Sequence, residues 1–191
     1  MRAGLISGSL FAVVMLPAAA AIAGPALLFD ASSGKVLYAE DADNLWHPAS
    51  LTKIMTAYVT FEALRDGKLK IDDKISCSET ETKEPPRKIG LPVGAEISVA
   101  LALKALIVKS ANDVAVMLAE RVGGSVDGFV ERMNATARRL GMTRTRFVNP
   151  NGLPADEQVT TARDLARLSR AVLRDFPQYA DLWSMPDFHI G

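Results

Sequence analysis

One cysteine, Cys77, and two histidines, His47 and His189, are the only such side chains in these 191 residues. A lone cysteine excludes an internal disulfide and a paired-cysteine metal site, and two histidines at unrelated places do not make a zinc cluster. An excess of charge of one sign is missing as well. Lys+Arg and Asp+Glu balance at 22 each, with no basic block, so neither nucleic acid nor an anionic membrane surface has electrostatic support as a partner. No apolar stretch is long and unbroken enough to span a bilayer comfortably. The longest, Leu5 to Leu16, follows Arg2 and runs into Pro17 and the alanine-rich "AAAAIAG". That order is the order of a secretory signal peptide, with Ala21-Ile22-Ala23 as a small-x-small cleavage site. The expected organisation is therefore a signal peptide over 1–23 and one exported domain over 24–191. A chain that is 49% hydrophobic and 23% charged has enough apolar material for one such core.

Along the chain, "ALLFDASSGKVLYAEDAD" (Ala26 to Asp43) predicts a β-hairpin, with Leu27–Phe29 and Lys35–Tyr38 flanking Ser32-Ser33-Gly34. Apolar residues at Leu51, Ile54, Met55, Tyr58, Val59, Phe61 and Leu64 predict a helix starting at Ser50 and closed by Asp66-Gly67. Residues 68–97 carry Pro85, Pro86 and Pro92 and predict loops and short strands. Helices are expected from Ser98 to Lys109 with Ser98 as N-cap, and from about Asp113 to Val122. A third is expected through Phe129, Met133, Ala137 and Leu140, and a fourth from "TARD" to about Asp175. "NPNGLP" (Asn149–Pro154) is dense turn chemistry. The sum is an α-rich α+β domain around the helix that begins at Ser50.

"HPASLTK" (His47–Lys53) raises the chemical question. Positions three apart share a helix face, with Cβ atoms about 5–6 Å apart, so Lys53 can reach the Ser50 hydroxyl. Serine is a weak nucleophile until a base sits beside it. A lysine becomes that base only if its pKa falls from about 10.4 to about 7–8, through burial or a neighbouring cation. At a helix N-terminus the Ser50 backbone N–H is also an unpaired donor that can face a developing oxyanion. Alone, the spacing is a weak signal that occurs by chance in many chains, and a capping serine with an exposed lysine explains it. A second polar break, Ser110-Ala111-Asn112, interrupts two apolar helices. Such a tripeptide is either an ordinary loop or a site wall; as a wall, Ser110 could pass a proton between the leaving group and Lys53, and Asn112 could orient Lys53 and bond a substrate amide.

Those residues, with "HPASLTKIMTAYVTFEALRDGKL", "KIGLPVGAEISVALALKALIVKSANDVAVMLAERV" and "ARRLGMTRTRFVNPNGLP", carry a resemblance. The chain resembles the serine D-alanyl-D-alanine carboxypeptidases, the low-molecular-mass penicillin-binding proteins, over nearly all of 26–191. Ser-x-x-Lys followed by Ser-x-Asn makes two of that superfamily's three motifs. The resemblance implies the penicillin-binding protein/serine β-lactamase-like transpeptidase fold, here its helix-rich part with an incomplete antiparallel sheet. It implies Ser50 as the acylated nucleophile, Lys53 as base, and Ser110 and Asn112 completing the site. It further implies a peptidoglycan stem peptide ending in D-Ala-D-Ala as substrate, β-lactams as covalent inhibitors, no metal or organic cofactor, and a periplasmic or envelope location.

The third motif, Lys-Thr-Gly, does not occur in the 191 residues. The resemblance then implies the N-terminal part of a larger enzyme, C-terminally truncated, poorly active alone and only marginally stable. The β-rich domain and amphipathic tail of many relatives are not evident either, and neither is membrane anchoring in this chain. Rival readings are a β-lactamase, for which Glu157 is the one candidate to activate water, and an inactive peptidoglycan-binding module. Carboxypeptidase and endopeptidase chemistry stay open at this point. Among the bystanders, His47 precedes Pro48 and points away from a Ser-His pair, Cys77 lies in a polar stretch, Arg87 and Lys88 are candidates to border the cleft, and Asp72-Asp73 and Glu79–Glu84 read as solvated surface.

Overall fold

A computed structural model describes residues 24–188 of the chain. The stretch read as a signal peptide lies outside the described residues. The hairpin is present: β1 (Ala26–Phe29) pairs antiparallel with β2 (Val36–Glu40), with a register shift between Leu28 and Phe29. Its turn is set by Asp30, whose carboxylate accepts the Ser33 N–H and both serine hydroxyls, and by Gly34 at φ 75°. Every residue of β2 is exposed. A two-stranded ribbon is marginal by itself, and this one leans on α6 (Ala162–Asp175), from which Arg170 donates to the carbonyls of Ala31 and Ser32.

The central element is α1 (Thr52–Arg65), with 10 of its 14 residues buried. The apolar stripe expected for it is only partly what is buried. Leu51 is exposed and Ile54 and Leu64 are half-buried, whereas Thr52, Thr56 and Thr60 are buried completely. A threonine every fourth residue forms a second inward face. It is tolerated because each hydroxyl has a partner: Thr56 donates to the Pro150 carbonyl at 2.6 Å, Thr60 to the Thr56 carbonyl at 2.8 Å, and Thr52 accepts from Gln158 at 3.4 Å. Against α1 pack α3 (Val99–Val108), α4 (Asn112–Gly123) and α5 (Val126–Arg139). Ser98 caps α3 as predicted, accepting from Leu101 N–H, and Gly124 at φ 78° ends α4. At the far end of α1, Phe61 stacks on Tyr179 with centroids 4.3 Å apart, and Tyr58 meets Phe176 edge-on.

Between α1 and α3, β3 (Lys74–Ser76) pairs antiparallel with β4 (Glu96–Ser98). The short helix α2 (Glu79–Thr82), not foreseen, follows β3 behind a capping box of Ser78 and Glu81. Two sequence readings need correction here. Glu81 is fully buried and Glu84 half-buried, so the 79–84 stretch is not uniformly solvated surface. Asp73 is half-buried too, beside Arg121 at 3.3 Å, whereas Asp72 is exposed. Cys77 is buried as well; burial pushes its thiol upward, away from thiolate reactivity. Ile75 and Cys77, two residues apart, both face the core, and Glu81 is held inward by the Ser78 N–H and hydroxyl that donate to its carboxylate. The short antiparallel pairs beside a helical core make this an α+β fold.

Candidate active site

Ser50 lies one step before the helix rather than on it. A 3-10 turn, Ala49–Leu51, precedes α1, and the Ser50 side chain is exposed in the middle of it. The turn bonds Leu51 N–H to the Pro48 carbonyl at 3.1 Å, and Thr52 N–H to Ala49. Among the described residues no backbone acceptor takes the Ser50 N–H. Ala49 has φ 46°, a left-handed conformation that costs an alanine about 1–2 kcal/mol. It persists because the segment is clamped. Trp46 exchanges two backbone hydrogen bonds of 2.8 Å with Thr160, and a His47 ring nitrogen is 2.9 Å from the Gln158 carbonyl. Gly152 presses on the other side. A Cβ added there would lie 1.9 Å from the Ala49 oxygen and 3.1 Å from the Ser50 nitrogen. The clamp stores strain next to an exposed hydroxyl, a pattern typical of functional sites. Beside it, a groove of about 670 Å³ runs past Ser50 and Leu51 between Phe29, Trp46 and Leu165.

Lys53 sits on the first turn of α1 and is 4% exposed. Its amine donates to Asn112 Oδ1 at 2.8 Å and to the Asn151 carbonyl at 2.5 Å. Two acceptors match the two N–H bonds of a neutral amine and leave its lone pair free. Burial, with Arg87 nearby, pulls its pKa from 10.5 down to about 8, against an opposing pull from Glu84. At neutral pH a drop of that size raises the free-base fraction about 300-fold. The pair Lys53–Asn112 read from the sequence is thus in contact. Among the described residues no hydrogen bond joins Lys53 to Ser50 directly.

Ser110 stands two residues before Asn112, at the junction of α3 and α4. Among the described residues it is one of four non-glycine residues with positive φ, at 56°, and its buried hydroxyl has no hydrogen-bond partner there. A buried hydroxyl without a partner on a left-handed backbone is a pattern that marks a candidate site. Asn112 opens α4. Its N–H donates to the Arg87 carbonyl at 2.7 Å and its Nδ2 to the Pro86 carbonyl at 3.0 Å. Arg87 therefore borders the site, with its backbone held and its side chain exposed.

Several contributors were out of reach of the sequence. "NPNGLP" is legible as a turn, but nothing links Asn151 to a lysine 98 positions earlier. The same holds for Gln158, whose amide accepts from Val148 and Asn149 N–H and donates to Asn149 Oδ1. Asp113, buried beside Asn112, accepts the N–H groups of Ile89 and Gly90 and so holds the 84–90 loop against α4. Asp113→Ala is expected to cost about 1–3 kcal/mol in urea unfolding and to speed amide exchange at Ile89 and Gly90 selectively. Glu157 is the reverse case: its side chain is 68% exposed and pairs with Arg146 at 2.9 Å. It gives the β-lactamase reading no water-activating carboxylate.

The sequence profile of the family described as D-alanyl-D-alanine carboxypeptidase, peptidase S11, matches residues 13–190. The chain belongs to that family. It is 38% identical over 191 residues to D-alanyl-D-alanine carboxypeptidase DacC of Escherichia coli (strain K12), covering 92% of this chain and 48% of that protein. With carboxypeptidase DacF of Bacillus subtilis (strain 168) it shares 38% over 149 residues, covering 78% of this chain and 38% of the relative. Among solved structures, penicillin-binding protein 5 from Haemophilus influenzae superposes with TM-score 0.85 at 34% identity, over 93% of this chain and 52% of that one. Penicillin-Binding Protein D2 from Listeria monocytogenes in its cefotaxime-bound form gives 0.79 at 30%, over 92% and 71%. The α+β fold is thus that of the penicillin-binding proteins. This carboxypeptidase-family chain spans about half the length of the curated relatives it matches.

Proposed function

We propose that the chain provides the nucleophile half of a serine D-Ala-D-Ala carboxypeptidase site, within a catalytic domain over 24–191 that follows a signal peptide. Its substrate is a peptidoglycan stem peptide ending in D-Ala-D-Ala, in the periplasm or cell envelope. Ser50 Oγ attacks the penultimate carbonyl while Lys53 takes its proton. The peptide C–N bond breaks, terminal D-alanine leaves with a proton relayed through Ser110, and the acyl-Ser50 ester is hydrolysed by water. Asn112 orients the Lys53 amine. The Ser50 N–H is one oxyanion donor, and the second belongs to the Lys-Thr-Gly element that these 191 residues do not contain. Lacking a donor typically costs about 10²–10³ in rate, so slow acylation is expected.

The observation that carries this reading is the Lys53 amine, buried, bonded by two neutral acceptors and lowered to about 8, three residues from an exposed serine on a strained turn. The test is intact mass and peptide mapping after incubation with a fluorescent penicillin. A single β-lactam adduct on the peptide bearing Ser50 is the expected result; a folded chain without an adduct rejects the proposal. Because the base is the unprotonated amine, acylation should rise about tenfold per pH unit below about 8 and level off above it. Rates measured from mildly acidic to alkaline pH check that shape.

A further inference from the structure

The loop between α2 and α3 holds Lys53 by two routes. On one, Asn112 joins the Lys53 amine to the Pro86 and Arg87 carbonyls. On the other, Asn151 accepts from the amine through its carbonyl, and its side-chain Nδ2 donates to Glu84 Oε2 at 2.9 Å. Glu84 itself is fixed at the end of α2, its N–H bonded to the Glu81 carbonyl. The Asn151 side chain has one other hold, Leu153 N–H donating to its Oδ1 at 3.1 Å; the bond to Glu84 ties residue 151, and with it the backbone carbonyl that Lys53 uses, to the loop after α2.

We propose that Glu84 is a positioning residue for Lys53, its carboxylate fixing Asn151 and thereby the carbonyl that takes one of the two N–H bonds of the lysine amine. The carboxylate also faces charges from every element around it: Lys53 on α1, Glu81 on α2, Asp113 on α4 and Lys88 on the loop. Burial and the two acids hold its own pKa above the usual carboxylate value, while the lysines oppose them. At Lys53 the Arg87 cation and the Glu84 anion pull in opposite directions. Loss of the Glu84 charge must therefore lower the Lys53 pKa further, not raise it.

The inference rests on the proposed function only for its kinetic consequence. Its direct test is the Lys53 titration in the purified chain, followed by ¹³C NMR at lysine Cε and assigned with Lys53→Met. Glu84→Gln keeps an acceptor for Asn151 and removes the charge, so the Lys53 midpoint should fall by about half a unit or more, and the acid limb of acylation should move with it. Glu84→Ala also removes the acceptor of Asn151 Nδ2, leaving Leu153 alone on that side chain, and should lower the plateau acylation rate about tenfold where Glu84→Gln does not. An unmoved midpoint in Glu84→Gln, or equal plateau rates in the two variants, overturns the proposal. The titration needs no acylation, so a chain that never forms the adduct rejects the proposed function and leaves the midpoint to decide on Glu84.

Discussion

Lys53→Met should lower the rate of Ser50 acylation by about 10²–10⁴, the usual contribution of a positioned general base, while the chain stays folded. The side chain is buried along its length, so a methionine of similar reach occupies the same space without burying a charge. The cost is two carbonyl acceptors, on Asn112 and Asn151, left without their donor. Stability carries an independent signature. In the folded chain Lys53 titrates at about 8, and in the unfolded chain near its ordinary 10.5. Between those values the unfolded state binds more protons, so this residue makes the fold more stable as pH rises from about 8 to 10.5. Below that window the cost of charging the buried amine is present in full. Urea midpoints of parent and variant should differ in slope across it. A variant acylated within a few-fold of the parent rate would remove Lys53 from the role of base.

The second large effect is expected at a residue without a side chain. Gly152→Ala puts a methyl 1.9 Å from the Ala49 carbonyl oxygen, at a φ of 84° that alanine already disfavours. Backbone cannot yield as a flexible side chain would, so either the Asn149–Gly152 turn or the Ala49–Ser50 turn must move. Strain and overpacking together should cost about 2–5 kcal/mol in unfolding. A shift of about 1 Å at Ser50 should also cost on the order of 10² in acylation. Gly67→Ala is the control. Its φ is 68°, but nothing lies within 4 Å of the added methyl, so it carries the conformational strain alone. Equal effects of the two substitutions on both stability and acylation would show that the close approach at Ala49 is not what holds Ser50.

Much of the scaffold was legible because it follows local rules. Ser98 before an apolar run, glycines after α4 and at the hairpin turn, and the Thr161 cap of α6 each fixed an end of an element. The hydrophobic periods fixed the helices between them. Where the reading slipped, a tertiary partner had changed the value of a residue. Thr52 and Thr56 count as polar in any pattern, yet they face inward because Gln158 and a turn near residue 150 supply their hydrogen-bond partners. Glu81 counts as surface, yet a capping box turns its carboxylate back onto Ser78 and buries it. Leu51 counts as core, yet the 3-10 turn rotates it out beside the groove.

The candidate site divides along the same line. The two motifs are short-range objects, three residues from Ser50 to Lys53 and two from Ser110 to Asn112, so residue type and spacing announce them. Their meaning depends on distances that no window of sequence contains. Burial sets the Lys53 amine near 8, and acceptors 59 and 98 positions away orient it. The sequence by itself determined which side chains are the candidates for the chemistry and which helices flank them. Only the tertiary structure decided that Ser50 sits on a strained turn clamped by Gly152, and that Lys53 is dry. A pKa and a backbone strain are properties of surroundings, and the surroundings exist only once distant segments have come together.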